Sequence, residues 1–116
     1  MGRHLMVVMN NPLEGREDDY NDWYDNQHLD DVLRIPGVVC AQRFRLSPVH
    51  RKLAPDALRY MALYMIETDD LRGVLDQIKT RSGTELMPLT DAIGPDGKSF
   101  FFEPFGATAD GPRGNE

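Results

Sequence analysis

Tyr20, Trp23, Tyr24, Gln27, His28 and Asp31 are the residues of this chain best suited by type and spacing to do chemistry. They recur at intervals of three and four, which on a helix places them on one face. A core stripe would carry Leu, Ile, Val and Ala. This face carries an indole, two phenols, an amide, an imidazole and a carboxylate, each with a polar atom that needs a partner if buried. His28 is the one side chain there that titrates near neutral pH. Tyr24 lies one turn before it, and Asp25 and Asp31 lie three residues to either side. Such a neighbourhood can tune an imidazole for proton transfer. We assign His28, Tyr24 and Asp31 as the acid–base set and Tyr20, Trp23 and Gln27 as substrate contacts. The competing reading is an ordinary amphipathic helix whose aromatics pack and whose polar tips reach water.

Other polar residues extend the inventory. Arg43 and Arg45 share one face of a strand, and Arg43 is expected to hold a substrate carboxylate, which a guanidinium does bidentately. Tyr64 shares a strand face with Tyr60 and would add a phenol donor. His50, Arg51 and Lys52 make a local positive cluster, read as an exposed loop or as a flap that steers anions. Cys40 reads as a small core residue, and His4 as a structural or exposed strand end.

Several function classes are excluded. There is no GxGxxG or P-loop fingerprint, no G-x-S-x-G nucleophile motif and no His/Cys cluster at zinc spacing. The formal net charge is −6, which argues against nucleic-acid or anionic-membrane partners. With one cysteine no internal disulfide can form, and a cytoplasmic setting is expected. No run approaches the roughly 20 apolar residues of a membrane span. No metal or organic cofactor is expected.

The elements that must position these residues follow from patterning. Residues 3–10 read as a strand apolar on both faces, followed by a loop with Asn10, Asn11, Pro12 and Gly15. A helix begins among Glu17, Asp18 and Asp19, where negative charge favours an N-terminus, and stops at Pro36-Gly37. VVCAQRFRLS reads as a second strand, 47–57 as a loop and LRYMALYMIET as a third strand. Residues 70–82 read as a second helix capped by Thr68 or Asp69, and SFFFEPF as the last strand. The order β-α-β-β-α-β is that of a ferredoxin-like α+β fold, an antiparallel four-stranded sheet with two helices on one face. The other face is also apolar, with nothing in the chain left to cover it, so a homodimer is expected. Residues 1–105 form the domain, and the Gly-rich stretch 106–116 is expected to be a flexible tail.

The same helix carries a resemblance. Trp23, Tyr24 and His28, with the Pro36-Gly37 turn leading into a strand, resemble the EthD-like family of dimeric α/β-barrel proteins over about residues 3–105. Relatives follow the His with a pattern ending in Pro; here Leu29 and Asp30 follow, which would leave the helix smooth. The resemblance implies cofactor-independent chemistry on small molecules. Within that range we expect isomerase or lyase chemistry by His28 on a conjugated or aromatic-derived, carboxylated substrate, as in aromatic-compound catabolism. The alternatives it implies are a polyketide cyclase or dehydratase, a cofactorless monooxygenase and a non-catalytic accessory binding protein; the acid–base residues themselves add an ester or lactone hydrolase.

Overall fold

The structure, a computed structural model, describes residues 2–112. In chain order it contains β1 (Gly2–Asn10), α1 (Glu17–Trp23), a π-helical turn (Tyr24–His28) and α2 (Leu29–Leu33). There follow β2 (Val38–Arg45), the short α3 (Pro48–Arg51), β3 (Tyr60–Thr68), α4 (Leu71–Arg81) and β4 (Lys98–Phe102). The strands form one sheet in the order β2-β3-β1-β4, every neighbouring pair antiparallel. This is the expected ferredoxin-like arrangement.

Strand register decides which residues meet the helices. Met6 lies opposite Tyr64 and Phe101, Val8 opposite Ala62, and His4 opposite Ile66. Met6, Ala62, Tyr64 and Ile66 are buried in one cluster with Tyr20, Tyr24 and Val32 from the first helical run and Val74 from α4. Full burial of a side chain such as Ile66 contributes roughly 1.5–3 kcal/mol. The opposite face carries Leu5, Val7, Met9, Met61, Leu63 and Met65, flanked by Phe44, Phe100 and Phe102, which are 39%, 50% and 55% exposed. Among the described residues nothing covers that face.

Three local expectations are corrected. The first helix is not smooth: α1 and α2 are joined through a π turn, in which the Leu29 amide donates to the Tyr24 carbonyl five residues back. In β2 a bulge between Val38 and Cys40 adds one residue, and the alternation inverts across it. Val38, Ala41 and Arg43 therefore face the helices, while Cys40 comes out on the open side and is exposed rather than core. The cap of α4 is Asp70, whose carboxylate accepts from the Gly73 amide at 3.0 Å, in place of Thr68 or Asp69.

The irregular segment 83–97 is tied down. Pro12 bridges to Ile93 and Ser82 to Met87, and the Gly94 amide donates to the Asn11 carbonyl at 2.7 Å. A Cβ on Gly94 would lie 3.1 Å from that carbonyl oxygen, so a side chain there would force the two segments apart. Gly37 takes φ 101°, the left-handed conformation that turns the chain from α2 into β2. Residues 106–112 of the expected tail are exposed and without regular structure, and 113–116 lie outside the described residues. Among the described residues no helix is long and apolar enough to cross a membrane.

Candidate functional site

The helical run lies across the sheet with Tyr20 and Tyr24 turned inward, at 0% and 2% exposure. Beside them, between the π turn, the sheet, α4 and the segment 83–97, is a cleft of about 240 Å³. Trp23, Tyr24 and His28 line it from the π turn region, and Asn10 and Tyr64 from the sheet; its remaining wall is mainly apolar, with Met6, Val32, Ile78 and Met87. Trp23 is anchored by its indole N–H, which donates to the Pro88 carbonyl at 3.0 Å. Its ring stacks on the His28 imidazole at 4.2 Å between centroids and 18° between planes. Tyr24 meets the same imidazole edge to face at 5.3 Å.

Two polar atoms on this cleft are buried without a hydrogen-bond partner, His28 Nδ1 and Tyr64 Oη. A buried polar group left unpaired costs roughly 1–3 kcal/mol, so such groups call for a reason. Burial lowers the His28 pKa to about 4, with the Asp31 charge opposing. The imidazole is therefore neutral at pH 7. Burial raises the phenol pKa of Tyr64. It also raises that of Tyr24, against the opposing effects of Asn10 and Arg43. Both phenols are thus protonated donors. The cleft combines a neutral base with two acids against a mainly apolar wall, which is the equipment for moving a proton.

Asn10 sets how Tyr24 can act. Its Nδ2 donates to Tyr24 Oη at 3.4 Å, and its Oδ1 accepts from Tyr20 Oη. Because Tyr24 receives that hydrogen bond, its own proton remains free to donate. In the sequence Asn10 falls where the strand 3–10 meets the loop, since Asn11 and Pro12 follow it, and it is not among the expected site residues. The overlooked signal is its place in register with the inward set Met6 and Val8.

Of the eight residues singled out in the sequence, the cleft gathers Trp23, Tyr24, His28 and Tyr64. The other four stand apart from its lining. Tyr20 is buried behind Tyr24, with ring centroids 5.3 Å apart. Gln27 is exposed and donates from Nε2 to Asp31 Oδ2 at 2.9 Å. Asp31 is buried and is also held by Arg34 at 2.9 Å, so it reaches His28 through charge. Arg43 donates to Asp25 at 2.9 Å and to Asn21 at 2.8 Å. Its guanidinium lies 4.5 Å from the centre of the Tyr24 ring, with Tyr20 and Tyr60 at 5.4 and 5.3 Å. Of the loop cluster, Arg51 and Lys52 line a separate cleft and His50 does not.

No family model matches the chain, and no curated protein matches it. Its fold is found among solved structures. A putative monooxygenase from Shewanella loihica PV-4 superposes with a TM-score of 0.61 at 7% identity, over 91% of this chain and 97% of that one. A monooxygenase from the gene ActVA-Orf6 of Streptomyces coelicolor, in complex with nanaomycin D, gives 0.53 at 16% identity, over 95% and 93%. An ethyl tert-butyl ether D (EthD) family protein from Bacillus halodurans C-125 gives 0.50 at 14% identity, over 90% and 100%. At these identities the likeness is one of fold: this chain shares the ferredoxin-like frame on which those proteins are built.

Proposed function

We propose that the chain is a small-molecule enzyme that moves a proton on a flat, conjugated substrate held in the Trp23–His28–Tyr64 cleft, in isomerase or lyase chemistry. The observation that carries this reading is the pair of buried, unpartnered atoms, His28 Nδ1 and Tyr64 Oη, on one mainly apolar cleft. Neutral His28 takes a proton from an acidic C–H or O–H of the substrate. Tyr64 and Tyr24 donate hydrogen bonds to the oxyanion that develops, where a dry site makes such donors most effective. Returning the proton to a different carbon completes an isomerisation; delivering it to a departing hydroxyl completes a dehydration. Asp31 acts through His28 by favouring the imidazolium. Among the described residues no Lys or Arg lines the cleft, and Arg43 is engaged with Asp25 and Asn21. A carboxylate on the substrate thus has no cation in this lining to hold it, and an enol or phenol is the acidic group that this reading favours.

A substrate screen reads binding through Trp23, the one tryptophan of the chain, whose fluorescence an aromatic ligand in the cleft should quench. Bound ligands are then incubated in D2O. The reading requires wild-type protein, and not His28→Ala, to convert a bound ligand to an isomer or a dehydrated product or to exchange deuterium into its acidic carbon. A ligand that quenches Trp23 but is neither converted nor exchanged would make the chain a binding protein.

A cofactorless monooxygenase is the second reading, favoured by the fold neighbours described as monooxygenases. There His28 deprotonates a phenol, and the phenolate reacts with dioxygen. One oxygen atom enters the ring as a quinone carbonyl; the other leaves as water, formed with the phenolic proton and the hydrogen lost from the oxygenated ring carbon. Oxygen uptake stoichiometric with product separates this from isomerisation. Either enzyme is expected to work as a homodimer closed through the open sheet face.

A further inference from the structure

We propose that a second cleft, at the end of the sheet formed by β2, β3 and α3, binds a small multivalent oxyanion such as a diphosphate. This cleft is about 440 Å³ and is lined by Arg45, Arg51, Lys52 and Arg59 around Tyr60 and Glu17. Four cations against one carboxylate give the cleft a local charge of +3 in a chain whose net charge is −6. An acidic protein gains nothing in solubility from such a concentration of like charge, and mutual repulsion makes it a cost unless an anion offsets it.

The internal partners do not neutralise it. Glu17 accepts from Tyr60 Oη and pairs with Arg59 at 3.4 Å. The Tyr60 hydrogen bond holds its carboxyl below the usual range, with burial opposing and Arg59 and Arg51 assisting. Glu17 thus stays ionised, yet it offsets only one of the four cations. Among the described residues Arg45, Arg51 and Lys52 enter no salt bridge. The site is also built from fixed parts. Ser47 caps α3 by accepting from the Val49 amide at 3.2 Å, and the Leu46 amide donates to the Arg59 carbonyl at 2.7 Å. The Arg59 amide donates to Asn11 Oδ1 at 2.7 Å.

A diphosphate carries roughly three negative charges at neutral pH and presents the oxygen pairs that guanidinium groups bind bidentately. A small ligand of this kind feels the local +3. A long polyanion or an anionic bilayer would also meet the acidic remainder of the surface, which repels it. The site is separate from the catalytic cleft, whose lining it does not share.

The test is calorimetric titration of pyrophosphate into the full chain at low salt, with orthophosphate and anionic phospholipid vesicles in parallel. We expect one saturable pyrophosphate site per chain, weakened by added salt. Arg45→Gln, and separately the pair Arg51→Gln with Lys52→Gln, should each weaken it about tenfold or more. Lys79→Gln, on the exposed side of α4, and His28→Ala, in the other cleft, should leave it unchanged. Circular dichroism checks that each variant is folded; should the double variant fail, Arg45→Gln decides. No saturable binding of pyrophosphate overturns the proposal, as does binding that survives both substitutions. Vesicle binding without pyrophosphate binding overturns it too, because it would make the patch a membrane contact.

Discussion

The rings of Trp23 and His28 are stacked although the two residues are five apart. In a regular α-helix of 3.6 residues per turn, such residues point about 140° away from each other. The π turn at Tyr24–His28 removes that divergence by widening the helix for one turn. The indole thus fixes the plane of the imidazole, which lines the cleft with Met6 and Tyr64 of the sheet and Ile78 of α4. π turns interrupt α-helices most often where function requires an unusual placement of side chains.

That burial predicts an unusual pH profile. With the His28 pKa at about 4, its general base is fully available at pH 6 and is lost only as the pH falls toward 4. The His28-dependent part of kcat/KM should be flat through the ordinary imidazole range and fall near pH 4. A fall near pH 6.5 would mean that His28 is solvated. The same shift links to stability. Between pH 6.5 and 4 the unfolded chain protonates this His and the folded chain does not. The contribution is therefore complete above pH 6.5 and is lost as pH falls toward 4, by about 3 kcal/mol as an upper bound. Denaturant melts across this window, compared with His28→Gln, isolate it from the carboxylates.

Arg43 should behave as a structural residue. It joins β2 to α1 and the π turn through Asn21 and Asp25, and lies over Tyr24. Arg43→Ala should cost about 2–3 kcal/mol, from the charge-assisted hydrogen bonds and the cation–π contact together. Arg43→Lys should recover only part of this, since an ammonium cannot reach two acceptors while lying flat on a ring. Urea melts measure both. A normal melt for Arg43→Ala with weakened substrate binding would restore the carboxylate-holding role.

The sequence showed the element order, the sheet and the uncovered apolar face, and it singled out the Trp23–His28 run that lines the cleft. These depend on local periodicity and on residue type. What it hid came from single-residue insertions. The extra residue at the β2 bulge turned Cys40 outward, and the π turn brought Trp23 against His28; neither leaves a period to read. Partner choice was equally illegible. Arg43 looked available for a carboxylate because its partners, Asn21 and Asp25, lie 22 and 18 residues away. Asn10 was hidden by the turn-forming residues beside it.

The open face of the sheet should close a homodimer. Light scattering over a concentration series should give twice the chain mass at tens of micromolar. Leu63→Asp, in the central strand β3, would bury an unpaired charge at that interface and should yield a monomer. A monomer from the unaltered chain at that concentration would refute the pairing.

Tyr64 separates function from packing most sharply. Its hydroxyl is buried in the cleft with no partner, so it costs stability in the free protein. Tyr64→Phe removes the oxygen and keeps the ring in the core, and should raise stability by about 1 kcal/mol or slightly more. If the hydroxyl donates to a developing oxyanion, the same change should lower kcat by about 10²–10³, the usual worth of one such donor. His28→Ala should lower it by about 10²–10⁴ and leave the fold intact. Thermal melts and turnover on the same preparations measure both effects. Greater stability with unchanged turnover would make the hydroxyl idle and remove Tyr64 from the site. Lower stability would mean that it has a partner in the folded chain. Only a gain in stability together with a loss of turnover fits a donor kept unpaired for its substrate.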